Sequence, residues 1–142
     1  MYLLDTDVTS NLLDTRRTSR ALRDRLRAHP LDELAISIVT VEEIMRGTLD
    51  SLRRAQMRKR NIVEAYEELR VLYNQLYRFS VLPFSAEAEI IFQSLPAAAR
   101  RIGVNDCRIA SIALAHGCTL VSANLRDFQR IPGLLVEDWT VG

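Results

Sequence analysis

The first seven residues restrict the fold more than any other stretch of the chain. Tyr2, Leu3 and Leu4 form an apolar run suited to a buried strand, and Asp5, Thr6 and Asp7 turn it acidic as it leaves the core. In an open α/β sheet, ligands gather in the crevice outside the carboxyl ends of the strands. An acid held there by a rigid strand faces that crevice, so Asp5 is the first candidate for chemistry.

The remaining chain alternates strand-like and helix-like segments. Residues 8–13 suit a short helix, and Ser19 caps a second one, which buries Leu22 and Leu26 and stops at His29-Pro30. Residues 34–39 read as a second strand, with Thr40 beginning a helix through Glu42, Glu43 and Met45 to about Gly47. Residues 52–79 carry one long amphipathic pattern, in which Ile62, Tyr66, Leu69, Tyr73 and Leu76 recur at helical spacing. That stripe predicts a core-facing helix, with a dimer or partner face as the alternative. Residues 79–82 form a third strand, and Ser85 caps a helix to Leu95 that Pro96 interrupts. Asn105 and Asp106 open a helix burying Ile109, Ala110, Ala113 and Leu114, ended by His116-Gly117. A strand at 118–122, a loop or single turn at 124–128 and a last strand at 134–136 lead to Trp139. This alternation predicts an α/β fold, a mostly parallel sheet of about four to five strands flanked by helices on both faces.

Composition narrows the class. The 142 residues, 48% hydrophobic and 26% charged, suit a single globular domain spanning 1–142. No apolar run approaches the roughly 20 residues that cross a bilayer, and Asp5 and Asp7 interrupt any secretory leader pattern. The expectation is a cytoplasmic protein with no membrane contact. Cys107 and Cys118 have no metal or redox spacing and read as small buried side chains. The net charge of +1 says little about nucleic acid, but arginines cluster at 16–27 and 53–60, with Lys59 the one lysine. Arginine's planar fork suits phosphate; solvated helix faces are the alternative.

Four polar residues fall at comparable places. Asp5 ends the first strand, Glu43 sits in the helical turn after the second, Asp106 lies in the first turn of its helix, and Asn124 follows the strand at 118–122. If those strands are neighbours, the side chains converge. Uncompensated carboxylates at close range repel and take up protons. A hard divalent cation removes that problem, and magnesium uses one or two carboxylates plus waters and phosphate oxygens. Each acid also has a local explanation. Thr40 and Glu43 are spaced as a capping box, Asp106 suits the positive end of its helix dipole, and Asp5 can cap the helix after it.

Taken together, the motifs resemble a known family. Leu3-Leu4-Asp5-Thr6, Val39-Thr40-Val41-Glu42-Glu43-Ile44 ahead of Gly47, Ile102-Gly103-Val104-Asn105-Asp106, and Leu120-Val121-Ser122-Ala123-Asn124 with Asp127-Phe128, Ile131-Pro132-Gly133-Leu134 and Trp139 are similar to the PIN-domain ribonucleases. The resemblance is to the VapC-like toxins of bacterial type II toxin–antitoxin pairs. It implies catalysis and metal binding by Asp5, Glu43 and Asp106, and the register from Gly47 selects Glu43 over Glu42. It further implies magnesium, with manganese as a substitute, an RNA substrate, a small cognate antitoxin and a homodimer. Thr6 and Ser122 stand where polar residues support the site. Asp7 stands where Asn is commoner, Asn124 where many members carry a fourth acid, and Asp127 lies close enough to replace it.

Two other classes compete. Asp5-Thr6-Asp7-Val8-Thr9 fits the nucleophile motif of haloacid-dehalogenase-like phosphatases, with Asp5 as nucleophile and Asp7 as general acid; that chemistry also wants a lysine against the phosphate, and Lys59 lies within a basic, surface-like run. That reading leaves the pattern from Asp127 to Trp139 unexplained. The other is a non-catalytic interaction module that keeps the PIN fold, for which Asn124 is the support.

Overall fold

Leu3 and Leu4 are both fully buried, yet they belong to different apolar clusters. Successive strand side chains alternate between faces, so a strand buried on both sides must carry apolar residues at consecutive positions. The strand β1 (Tyr2–Leu4) does so at the centre of the sheet. The computed structural model describes residues 1–58 and 61–142; Lys59 and Arg60 of the second basic cluster lie outside the described residues.

After β1 come α1 (Thr6–Leu13), α2 (Arg20–Arg27), β2 (Leu34–Ser37), α3 (Ile38–Met57), α4 (Ile62–Leu76) and β3 (Ser80–Leu82). Then follow α5 (Ala86–Ser94), α6 (Ala97–Arg100), α7 (Val104–Ala115), β4 (Thr119–Val121), α8 (Leu125–Phe128) and β5 (Val136–Glu137). The strands form a five-stranded sheet in the order β3-β2-β1-β4-β5, and every pairing is parallel. Leu3 stands opposite Ala35 on one side and Leu120 on the other. These three join Ala88 of α5, Ile109 and Ile112 of α7 and Phe128 of α8 in one cluster. Leu4, Ile36 and Val121 instead meet Val8 of α1, Leu22 of α2 and Leu72 of α4 in the other. The sheet is thus covered on both faces, as the alternation predicts.

Trp139, fully buried, closes the second cluster. Its ring stacks on His29 at 4.9 Å, and Tyr2 packs against both rings. Its indole N–H donates to Glu137 Oε2 at 2.7 Å, so the one polar atom of the side chain is satisfied. His116 caps α7 and donates from Nδ1 to the Ile112 carbonyl, followed by Gly117 at φ +63. Cys107 and Cys118 are buried and free, as their spacing suggested. No helix among the described residues is long and apolar enough to cross a membrane.

Several boundaries differ from the sequence reading. The second strand ends at Ser37, because Ser37 rather than Thr40 caps α3. The amphipathic pattern at 52–79 is two helices, since Asn61 caps α4 by accepting the N–H of Glu64. Tyr66 and Tyr73 are exposed rather than core-facing, leaving Leu72 and Leu76 as the buried residues of α4. The α7 helix opens at Val104, one residue before Asn105. The last strand is Val136–Glu137, where backbone pairing with β4 is available.

Removing the indole should cost the fold heavily. Trp139→Ala is expected to lower the unfolding free energy by about 3–5 kcal/mol in urea titration. Trp139→Phe keeps the apolar volume and should cost clearly less.

Candidate active site

The order β3-β2-β1-β4-β5 reverses at β1: the chain builds outward from β1 to β2 and β3, then returns to place β4 and β5 on the opposite edge. A crevice opens at such a reversal, beyond the carboxyl ends of the strands. Asp5 stands there. Its amide donates to the Val121 carbonyl at 3.0 Å, so the ladder between β1 and β4 extends into the site. Its carboxylate is 5% exposed, and Oδ1 accepts the Val8 N–H at 2.7 Å as the cap of α1. Burial raises its pKa, opposed by hydrogen bonds from the Ser122 hydroxyl and the Val8 amide. The local capping role and the crevice position therefore hold together in one side chain.

Glu43 arrives from α3. Ser37 Oγ accepts the Thr40 N–H at 2.9 Å, which fills the cap position and takes the capping-box role away from Thr40 and Glu43. Glu43 turns to β1's exit instead, where Thr6 Oγ1 donates to its Oε1 at 2.7 Å. Glu42, one residue earlier, is exposed and paired with Arg46. Of the two neighbouring glutamates, Glu43 is the one that reaches the exit of β1.

Asp106 arrives from α7, whose cap is Gly103 at φ +116 and ψ 153. A side chain there is strained, so glycine sets the angle at which this first turn enters the crevice. Its carboxyl is pushed up to about 6, first by burial and then by Glu43, Asp5, Asp7 and Asp127. Four acids from three distant parts of the sequence therefore share one electrostatic neighbourhood with it. Asp7 is exposed at the rim. Ser122 is fully buried and accepts the Asn124 N–H at 3.0 Å. Asn124, exposed, donates from Nδ2 to Asp127 Oδ2 at 2.9 Å, so the amide orients that acid.

Among the described residues, no three His, Cys, Asp or Glu side chains are grouped closely enough to hold a metal ion as they stand. The donor set is nonetheless the chemistry a hard cation takes: carboxylates, hydroxyls and an amide oxygen. Magnesium needs one or two direct carboxylates and fills its shell with water, so the arrangement fits that ion. Four arginines of the two clusters stand in exposed pairs, Arg16 and Arg17 with Asp14, Arg20 with Asp24 and Arg53 with Asp50.

Sequence reasoning missed the contribution of Ser37 and treated Thr40 as a cap. The available signal was the three-residue spacing Ser37, Thr40, Glu43, which allows a cap one turn earlier. Away from the acids, α3, α4 and the edge strand β3 frame an apolar groove of about 580 Å³. Met45, Leu69, Tyr66, Tyr73 and Val81 line it.

Residues 2–134 match the family described as PIN domain. Among curated relatives, ribonuclease VapC2 of Rickettsia felis is 29% identical, with 98% of both chains covered. Ribonuclease VapC1 of Haemophilus influenzae strain R2866 is 31% identical, covering 99% of this chain and 98% of the relative. A tRNA(fMet)-specific endonuclease VapC of Salmonella typhimurium is 29% identical over 97% of both. Among solved structures, VapBC-1 from nontypeable Haemophilus influenzae superposes with a TM-score of 0.76 at 25% identity, covering 99% of this chain and 98% of that one. VapBC2 from Rickettsia felis, bound to a promoter DNA fragment, gives 0.72 at 26% identity, with 97% and 98% covered.

Acid crowding has a stability consequence. Because the folded pKa of Asp106 is raised to about 6, the folded state holds this proton more tightly than the unfolded chain. Stability is then lost as pH climbs from the ordinary carboxyl range to about 6, and stays lost above it. Asp106→Asn should stabilise the metal-free protein at pH 7.5 by about 1 kcal/mol, a figure reduced for the solvent screening of a half-exposed group. Thermal unfolding in EDTA should show the gain vanish near pH 4.

Proposed function

The chain belongs to the PIN-domain family, and from that premise we propose that it is a magnesium-dependent endoribonuclease, the toxin of a toxin–antitoxin pair. The observation that carries the reading is the field at Asp106, whose carboxyl is raised to about 6 by burial and by Glu43, Asp5, Asp7 and Asp127. A folded protein that keeps such repulsion gains from it only when something positive enters. The named functions of the curated VapC relatives, ribonuclease and endonuclease, agree with an RNA substrate. The phosphatase reading is set aside, because family membership accounts for the same acids and for the C-terminal motif that reading left unexplained. Its lysine, Lys59, lies outside the described residues.

Asp5, Glu43 and Asp106 would hold the cation, with manganese as a substitute, and Asn124 and Asp127 would meet its water shell. When bound, the cation lowers the pKa of water and offsets the charge of the scissile phosphate. The residues themselves do the placing. Asp5 is locked by the Val8 amide, so its carboxylate presents one fixed edge to the crevice. Glu43 is held through Oε1 by Thr6, which leaves Oε2 to accept a proton from the attacking water. Ser122 keeps the exit of β4 in place through the Asn124 amide. The phosphate backbone of RNA would follow exposed arginines, a contact that weakens with salt.

An antitoxin partner fits the structural relatives, which are VapBC complexes. A small cognate antitoxin would lay an apolar helix into the groove of Met45, Tyr66, Leu69 and Tyr73. The working form would be a cytoplasmic homodimer.

Three measurements test these statements. Purified protein should cleave mixed RNA with magnesium or manganese and lose that activity in EDTA; Asp5→Asn and Asp106→Asn should lower it at least about 100-fold. Asparagine is also a good helix cap, so Asp5→Asn should keep the fold, and wild-type activity in either variant would refute the assignment. Because a proton competes with the cation at Asp106, the metal concentration for half-maximal activity should rise as pH falls through about 6. Tyr73→Asp should abolish capture of an antitoxin encoded beside the gene and leave RNA cleavage intact; unchanged capture would move the antitoxin off this groove.

A further inference from the structure

Hydroxyls within the helices usually satisfy themselves locally. Thr9 Oγ1 donates to the Asp5 carbonyl, Ser111 Oγ to that of Cys107 and Ser94 Oγ to that of Ile90, each at 2.7 Å and four residues back. Thr40 departs from this habit. It is fully buried in the first turn of α3, where the carbonyl four residues back, that of Ile36, belongs to β2 and not to the helix. Thr40 Oγ1 lies 3.1 Å from Ser37 Oγ and 3.2 Å from Thr6 Oγ1 of α1. Ser37 has a local duty as the cap of α3. The Thr40 hydroxyl accepts the Ser37 proton within that cap and also reaches outward to Thr6.

Proton counting gives the arrangement a direction. Each hydroxyl has one proton to donate. Thr6 commits its proton to Glu43 Oε1 at 2.7 Å, so the proton between the two threonines comes from Thr40, and the one between Thr40 and Ser37 from Ser37. The chain Ser37, Thr40, Thr6, Glu43 therefore runs one way and ends on a carboxylate. Thr6 belongs to α1 and Glu43 to α3, so the chain also ties the exits of β1 and β2 together. A glutamate has three side-chain torsions to order. Here the ordering is done before substrate arrives.

We propose that Thr40 is a positioning residue, fixing the Glu43 carboxylate through Thr6 for the cleavage reaction, an inference that rests on the nuclease reading above. Partners one step removed from a metal site typically alter activity by 10–100-fold when lost. Thr40→Val fills the same space without the hydroxyl, whereas Thr40→Ser keeps it.

The test has two arms. In metal-free protein, the Glu43 side-chain carboxyl carbon is followed by carbon NMR. Its resonance should shift or broaden in Thr40→Val and stay put in Thr40→Ser. With magnesium and an RNA substrate, Thr40→Val should lower kcat about tenfold with KM within about twofold, and Thr40→Ser should recover most of the loss. If Thr40→Val does not fold, Thr40→Ala is read in the same way. An unmoved Glu43 resonance, or an unchanged kcat, would overturn the inference. Equal losses in the serine and valine variants would do so too, since packing rather than the hydroxyl would then be responsible. A wild-type protein that cleaves no RNA counts against the nuclease reading, while the NMR arm still decides whether Thr40 holds Glu43.

Discussion

Backbone pairing of β1 on both edges is the constraint from which the rest follows. Three residues, Tyr2 to Leu4, pair with β2 on one side and β4 on the other, so the strand must be apolar on both faces. Parallel neighbours cannot be joined by tight turns, and each connection carries helices across a face of the sheet. The reversal of direction at β1 separates those helices at one end. Asp5, whose amide still bonds to Val121, occupies the gap with the rigidity of the strand behind it.

The same geometry sets stability against readiness. Glu43 and Asp106 come from different helices, α3 and α7, yet the charges of Glu43 and Asp5 both reach the Asp106 carboxyl. Burial and mutual repulsion raise the Asp106 carboxyl to about 6, a cost the metal-free fold carries throughout neutral pH. The protein offsets part of it with fixed donors: the Val8 amide at Asp5 and the Thr6 hydroxyl at Glu43. The Asp106 carboxyl is thus kept in an unfavourable field, and strongly perturbed carboxyls of this kind cluster at functional sites.

Much of this was legible along the chain. The strand at its start, the acids at strand exits and the glycine stop at Gly117 are local signals, and local backbone preferences are enough to read them. What was misread shares one cause. Ser37 and Thr40 compete for the same capping role, and spacing alone cannot say which one the helix uses. Ile62, Tyr66, Leu69 and Tyr73 share helical spacing with Leu76, yet of these only Leu76 joins the second cluster, beside Leu72 from off the stripe. Periodicity finds a stripe; which part of the stripe is covered depends on where the sheet ends.

The sequence by itself determined the parallel α/β class, the candidate acids and the order in which they occur, because each rests on preferences acting over a few residues. Tertiary structure alone decided that Asp5, Glu43 and Asp106 share one field, that Glu43 answers to Thr6 rather than to its own helix, and that the tyrosines of α4 stay exposed. Those outcomes join residues about 40 to 100 positions apart, and a contact over that distance is fixed by the register of paired strands and the packing of helices on them, which no short window of sequence contains.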